Sequence, residues 1–321
     1  MSLSPYNLLY KRELSTDDWQ LPEYDILISA FNSSERVRLA FDRIRARNKL
    51  WLIHNEYDYS SAELPSGDCF SSSAATESAL VKELVAEIER RTSRTIGDTS
   101  ICVDCTGFMR PHLIFLTLYL SLRGVRKYDV IYSEPRAYAQ KEQTTFSEGS
   151  IRVRQVEGFE GINSPDQQND FLIIGSGYDH RLIKAVAENK DKADKVQIFG
   201  LPSLRADMYQ ENVMRAFRAS DAIGTNKVFD VDRFFAPAND PFVTAATLSD
   251  IVKSRRRLGA ISNLYLSPLA TKPQALGFAL SYLTECKSTA TSILFPVTDK
   301  YARETTYGLQ RAWVYTVEDL V

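Results

Sequence analysis

The chain has 321 residues, 44% of them hydrophobic, enough for two cores of ordinary size. Charged residues make up 25% and the formal net charge is −2, which excludes a global electrostatic pull toward nucleic acid or an anionic membrane. The longest apolar run, LIFLTLYLSL from Leu113, is about half the length that spans a bilayer.

Residues Met1 to Glu23 are mixed and polar, have no apolar signal segment and are expected to wrap the first domain. Asp25 to Phe31 (DILISAF) is a continuous apolar run and predicts a central strand. Asn32, Ser33 and Ser34 then offer caps for a helix burying Val37, Leu39, Ala40, Phe41 and Ile44. Lys49 to His54 predicts a second strand, Asn55 to Ser73 a loop, and Ala74 to Arg91 a helix. Ser100 to Cys105 predicts a third strand, Pro111 to Leu122 its helix, Tyr128 to Ser133 a fourth strand. Gly149 to Glu157 alternates as an edge strand does. Such alternation of strand and helix implies a parallel sheet, a Rossmann-like α/β unit.

Gly158 to Asn169 (GFEGINSPDQQN) has linker composition, and after it the pattern restarts. Phe171 opens strand, turn and helix; Lys195 to Phe199 predicts a strand, Asp207 to Ala219 a helix, and Asn239 to Leu258 contains another. The strands SILFPV from Ser292 and RAWVYTVE from Arg311 close the chain. Ile28 aligns with Ile174 and Lys49 with Lys195 at a common offset, and Arg110-Pro111 aligns with Lys272-Pro273 after about 16 extra residues. Tyr138-Ala139 then faces Tyr301-Ala302, each followed by Thr-Thr, and Gly149 faces Gly308. The expectation is two tandem Rossmann-like parallel-sheet halves from an internal duplication: 1–157, a linker at 158–169, and 170–321 with an insertion near 220–260.

In open parallel sheets, ligands bind at the carboxyl ends of strands beside helix N-termini. In the first half those positions hold Ser33, Ser34, Glu35, Arg36, Thr106, Arg110, Glu134 and Tyr138. In the second they hold Asp179, His180, Arg181, Ser267, Thr271, Lys272, Thr298 and Tyr301. Hydroxyls with cations suit phosphate, and a tyrosine suits a flat base. If the halves pack about a pseudo-twofold, the two sets converge on one pocket. Each residue also has a plain structural reading. Ser33, Ser34 and Thr271 are helix caps, Glu35 and Arg36 a solvated pair, and the tyrosines packing residues. Arg255, Arg256 and Arg257 mark either a solvated helix end or a nucleic-acid or subunit contact.

No GxGxxG, GxxxxGK[ST], GxSxG or HExxH is present, and three scattered histidines give no metal cluster. Cys102 and Cys105 fall on a strand, where they face opposite sides, and read as buried thiols of a cytoplasmic protein. No cofactor and no metal are expected. Glu35 and Asp104 are the candidate acid/base residues should the chain be an enzyme.

The stretch LSPLATKPQALGFAL resembles the strand–(small/Thr)–Lys–helix signature of CARF-type Rossmann domains, with a looser echo at Val103 to Leu118. Pro268 and Leu269 stand where that signature usually carries glycines. The resemblance implies a sensor for a nucleotide or cyclic oligonucleotide in a prokaryotic antiviral system, acting with a separate effector protein. The alternatives are an enzyme on a nucleotide or NAD-like substrate, and a structural subunit with degenerate pockets.

Overall fold

A computed structural model describes residues 6, 10–15, 18–138, 147–205, 210, 213–214, 223, 233–301, 303 and 306–319. In chain order these form β1 (Tyr10–Leu14), β2 (Tyr24–Ala30), α1 (Glu35–Arg43), β3 (Ala46–Leu52), β4 (Cys69–Phe70), α2 (Glu77–Thr92), β5 (Ile101–Asp104), α3 (Arg110–Leu122) and β6 (Lys127–Tyr138). Then come β7 (Ser147–Gln155), β8 (Phe171–Gly175), α4 (His180–Asn189), β9 (Asp194–Gly200), β10 (Arg233–Ala236), α5 (Pro241–Leu258), β11 (Leu264–Pro268), α6 (Lys272–Ser281), β12 (Thr291–Tyr301) and β13 (Thr306–Glu318).

Two sheets result, with orders β1-β13-β6-β5-β2-β3-β4 and β10-β9-β8-β11-β12-β7. The runs β4-β3-β2-β5-β6 and β10-β9-β8-β11-β12 have one topology. In each, the first strand of the repeat sits at the centre, and the order reverses between it and the fourth. That is the Rossmann-like pattern, present twice. The central strands are continuously apolar because both faces are covered: Ile26, Leu27 and Ile28 of β2 and Leu172, Ile173 and Ile174 of β8 are fully buried. α5 and α6 pack closely, with Gly277 at the crossing; a Cβ there would lie 2.4 Å from the Pro241 carbonyl oxygen.

The two compact units are not contiguous halves. One comprises Leu8–Phe146 with Lys300–Val321, the other Met1–Asn7 with Ser147–Asp299. The two units differ at both ends from the sequence-based boundaries 1–157 and 170–321. Each half gives its last strand to the other half's sheet: β13 pairs antiparallel with β6, and β7 lies beside β12. Alternation within β7 marks it as an edge-type strand but not which sheet it borders, while β13 lies inside its sheet between β1 and β6.

Three further expectations change. The segment 158–169 is packed rather than a free linker. Phe159 is fully buried, Ser164 N–H donates to Asn263 Oδ1 at 2.7 Å, and a Cβ at Gly161 would collide with the Thr291 carbonyl. Gly200 to Arg233 spans 33 residues where Leu52 to Cys69 spans 17, so the extra 16 lie between β9 and β10, upstream of most of the 220–260 window. Residues Tyr10–Leu14, in the stretch expected to wrap the first domain and for which no strand is expected, form β1 against β13. The helix expected over Asp207 to Ala219 lies almost wholly outside the described residues.

Candidate functional site

The first sheet reverses order between β2 and β5, and its carboxyl end there is filled with a buried polar network. Ser29 Oγ donates to Asp104 Oδ2 at 2.8 Å, and Thr106 N–H donates to Asp104 Oδ1 at 3.1 Å. Thr106 Oγ1 in turn accepts from Ser133 N–H at 3.0 Å. Arg36 enters from α1, donating through Nε to Thr306 Oγ1 at 3.2 Å and through Nη1 to the Ser133 carbonyl. All these groups except Thr306 are within 2% of full burial. Burial pushes the Asp104 carboxyl up, opposed by its hydrogen bonds from Thr106 and Ser29 and by the Arg36 charge.

This network answers several sequence readings. Asp104 has no solvent access, and both its oxygens are occupied, so it serves as a tie between strands. Arg36 is a buried network member, not half of a solvated pair with Glu35, which is exposed at the start of α1. Thr106 is committed to the β6 backbone. Ser34 is buried with its Oγ 2.5 Å from Asn32 Oδ1, and exposed Ser33 donates its N–H to Tyr59 Oη at 3.2 Å. Arg110 is the first residue of α3 and half-buried. Gly107 lies against β2 so tightly that a Cβ would sit 1.9 Å from the Ala30 carbonyl oxygen.

The second sheet reverses order between β8 and β11. Here the close approach has the opposite polarity: Gly177 follows β8, and its Cβ would sit 2.1 Å from the Leu269 carbonyl oxygen. Thr271 caps α6, accepting from Gln274 N–H at 3.3 Å and donating to the Ala238 carbonyl at 2.5 Å. Lys272 is the first helical residue, and Pro273 follows where its missing N–H costs nothing. Gln274 Nε2 donates to the Ala236 carbonyl at 3.3 Å. Two buried polar atoms on either side of this turn, Ser267 Oγ and Gln274 Oε1, have no hydrogen-bond partner among the described residues. Sequence reasoning missed Gln274; its only signal is its place in the first turn of α6.

His180 and Arg181 open α4, where Asp179 Oδ1 accepts from Arg181 N–H at 3.0 Å. They line an open cavity of about 440 Å³ between α4 and β7 with Ile151, Lys184, Ala185 and Glu188. Tyr301 ends β12, half-buried; Tyr138 ends β6, and its side chain lies outside the described residues. The arginine cluster is elsewhere. Arg255 pairs with Asp194, the first residue of β9, and lies 5.6 Å over the Phe171 ring, so it marks the amino ends of the strands. Arg256 and Arg257 are exposed there. Among the described residues no group of three His, Cys, Asp or Glu is placed to hold a metal, and no helix is long and apolar enough to cross a membrane.

No protein-family model matches the chain, and no curated protein does.

Proposed function

We propose that the chain is a ligand-binding sensor or regulatory subunit for a phosphate-bearing molecule, a nucleotide or cyclic oligonucleotide, that acts with a separate effector. The observation that carries the reading is the turn between β11 and α6. Lys272 stands at a helix N-terminus, the natural place for an anion, between Ser267 and Gln274, whose buried Oγ and Oε1 have no partner among the described residues. An unsatisfied buried polar atom costs about 1–3 kcal/mol, so two flanking the β11–α6 turn call for a polar occupant. The resemblance of LSPLATKPQALGFAL to the CARF-type signature points the same way and extends it to a role in prokaryotic antiviral defence.

In the first sheet Thr106 and Arg36 are spent on the fold, and Arg110 is the residue that matches Lys272 in the repeat. Ligand affinity is assigned mainly to Lys272.

Thermal unfolding with ATP, NAD, cyclic di-adenylate and cyclic tetra-adenylate, each against inorganic phosphate, tests this. Saturation at 100 Kd stabilises by about 2.7 kcal/mol. One nucleotide class should raise Tm, and Lys272→Ala should weaken its binding at least tenfold by calorimetry. No shift with any of them, or unchanged affinity in Lys272→Ala, refutes the assignment.

A further inference from the structure

The duplication offers an internal control on the sheet edges. Gly149 and Gly308 both have left-handed φ, 88° and 60°, and each is the third residue of the exchanged strand, two residues before an arginine–apolar run, Ile151-Arg152-Val153-Arg154 and Gln310-Arg311-Ala312-Trp313. β7 and β13 are thus counterparts, with Arg154 in the place of Trp313. The outer side of β13 is covered: β1 pairs with it antiparallel from Tyr10↔Thr316 to Leu14↔Ala312. Lys11 Nζ of that covering strand lies 4.2 Å over the Trp313 ring. The second sheet ends at β7, and among the described residues no strand covers it.

The exposed row of β7 can be read from its hydrogen bonds. Val156 N–H donates to the Ile293 carbonyl at 2.9 Å, so by alternation the amides of Ile151 and Val153 point away from β12. Two carbonyls on that outward side, Gly149 and Gln155, accept instead from side chains, Arg181 Nη2 at 3.3 Å and Arg154 Nη1 at 3.0 Å. Cations flank both faces of the edge. Exposed Arg152 stands on one face; Arg181 and Lys184 line the cavity on the face that Ile151 shares with α4. Among the described lining residues Glu188 is the one carboxylate, and it pairs with Lys184 at 3.6 Å.

We propose that β7 is a docking edge for an extended acidic segment of a partner protein, which adds to the sheet as β1 adds to β13. Main-chain bonds to Ile151 and Val153 supply affinity, and the flanking arginines and lysine select acidic side chains. Two copies of β7 paired with each other would bring Arg152 and Arg154 of both chains together, which disfavours self-association.

The probe is a fluorescein-labelled eight-residue peptide alternating Glu with Val and Tyr, titrated into the full chain by anisotropy; its control carries Lys for Glu. The acidic peptide should bind saturably and the lysine peptide at least tenfold more weakly, with slower amide exchange at Ile151 and Val153. Val153→Pro, which removes an outward N–H and leaves the β12 pairing intact, and the double variant Arg152→Glu with Arg154→Glu should each cost at least tenfold. Circular dichroism checks that both variants stay folded. Absence of saturable binding, or equal binding of the two peptides, overturns the proposal. So does a wild-type dimer in sedimentation that Val153→Pro dissolves, which would assign the edge to a second copy.

Discussion

Arg36 on the first helix donates to Thr306 on the last strand at 3.2 Å, across a separation of 270 residues. The same guanidinium reaches the Ser133 carbonyl and the field of buried Asp104. One side chain thus ties α1, β6 and the exchanged strand β13 together. Arg36→Ala leaves a buried carboxyl without its neighbouring cation and Ser133 without a donor, a loss of roughly 3–5 kcal/mol. Arg36→Lys keeps the charge but not the fork and should recover only part of it. Urea unfolding measures both; a loss under about 1 kcal/mol for Arg36→Ala would mean the network does not hold the fold.

Strand exchange predicts that neither contiguous half is self-sufficient. A fragment 1–157 lacks β13, so β6 keeps a bare edge while β7 has no sheet to join. Produced alone, fragments 1–157 and 158–321 should aggregate or unfold without cooperativity. Co-expressed, they should co-purify and unfold in one transition. A monomeric 1–157 fragment with a native-like Tm would contradict the exchange.

Each switch point is closed by a glycine packed on a carbonyl, Gly107 on Ala30 and Gly177 on Leu269. A methyl group at either position must push backbone aside. Gly107→Ala and Gly177→Ala should each cost on the order of 3 kcal/mol, whereas Gly124→Ala, with open space around it, should cost less despite its φ of 77°. Thermal melts of the three variants give the ranking directly.

Glu63 supplies a pH test. The Ser60 hydroxyl and N–H and the Arg303 guanidinium lower its carboxyl to about 2. Since its folded value lies below the unfolded value of about 4.3, its contribution is complete above that value and is lost as pH falls from about 4.3 to about 2. Arg303 also bonds the Tyr57 carbonyl at 3.1 Å and lies 4.5 Å over the Tyr59 ring, so the ion pair holds loop 55–64 to the chain just before β13. Carboxyl NMR titration should place the Glu63 midpoint near 2 in the wild type and higher in Arg303→Ala. Because Ser60 still donates twice, the variant should stay below the unfolded value.

The alternation of apolar runs and amphipathic helices determined the α/β class. The common register of Ile28 with Ile174 and Lys49 with Lys195, continued by Arg110-Pro111 with Lys272-Pro273 and Tyr138 with Tyr301, determined the repeat, because strand and helix periods are local properties of the chain. The positions of Thr271 and Lys272 at a helix start were legible for the same reason, since cap and proline preferences act within one turn. What Thr106, Arg36 and Asp104 do was not: their hydrogen-bond partners are Ser133, Thr306 and Ser29, brought near only when the sheet closes. Nor could the alternating pattern of β7 choose a sheet, because an edge strand satisfies its backbone equally well against β6 or β12. Tertiary packing alone decided that each half is completed by the other half's last strand.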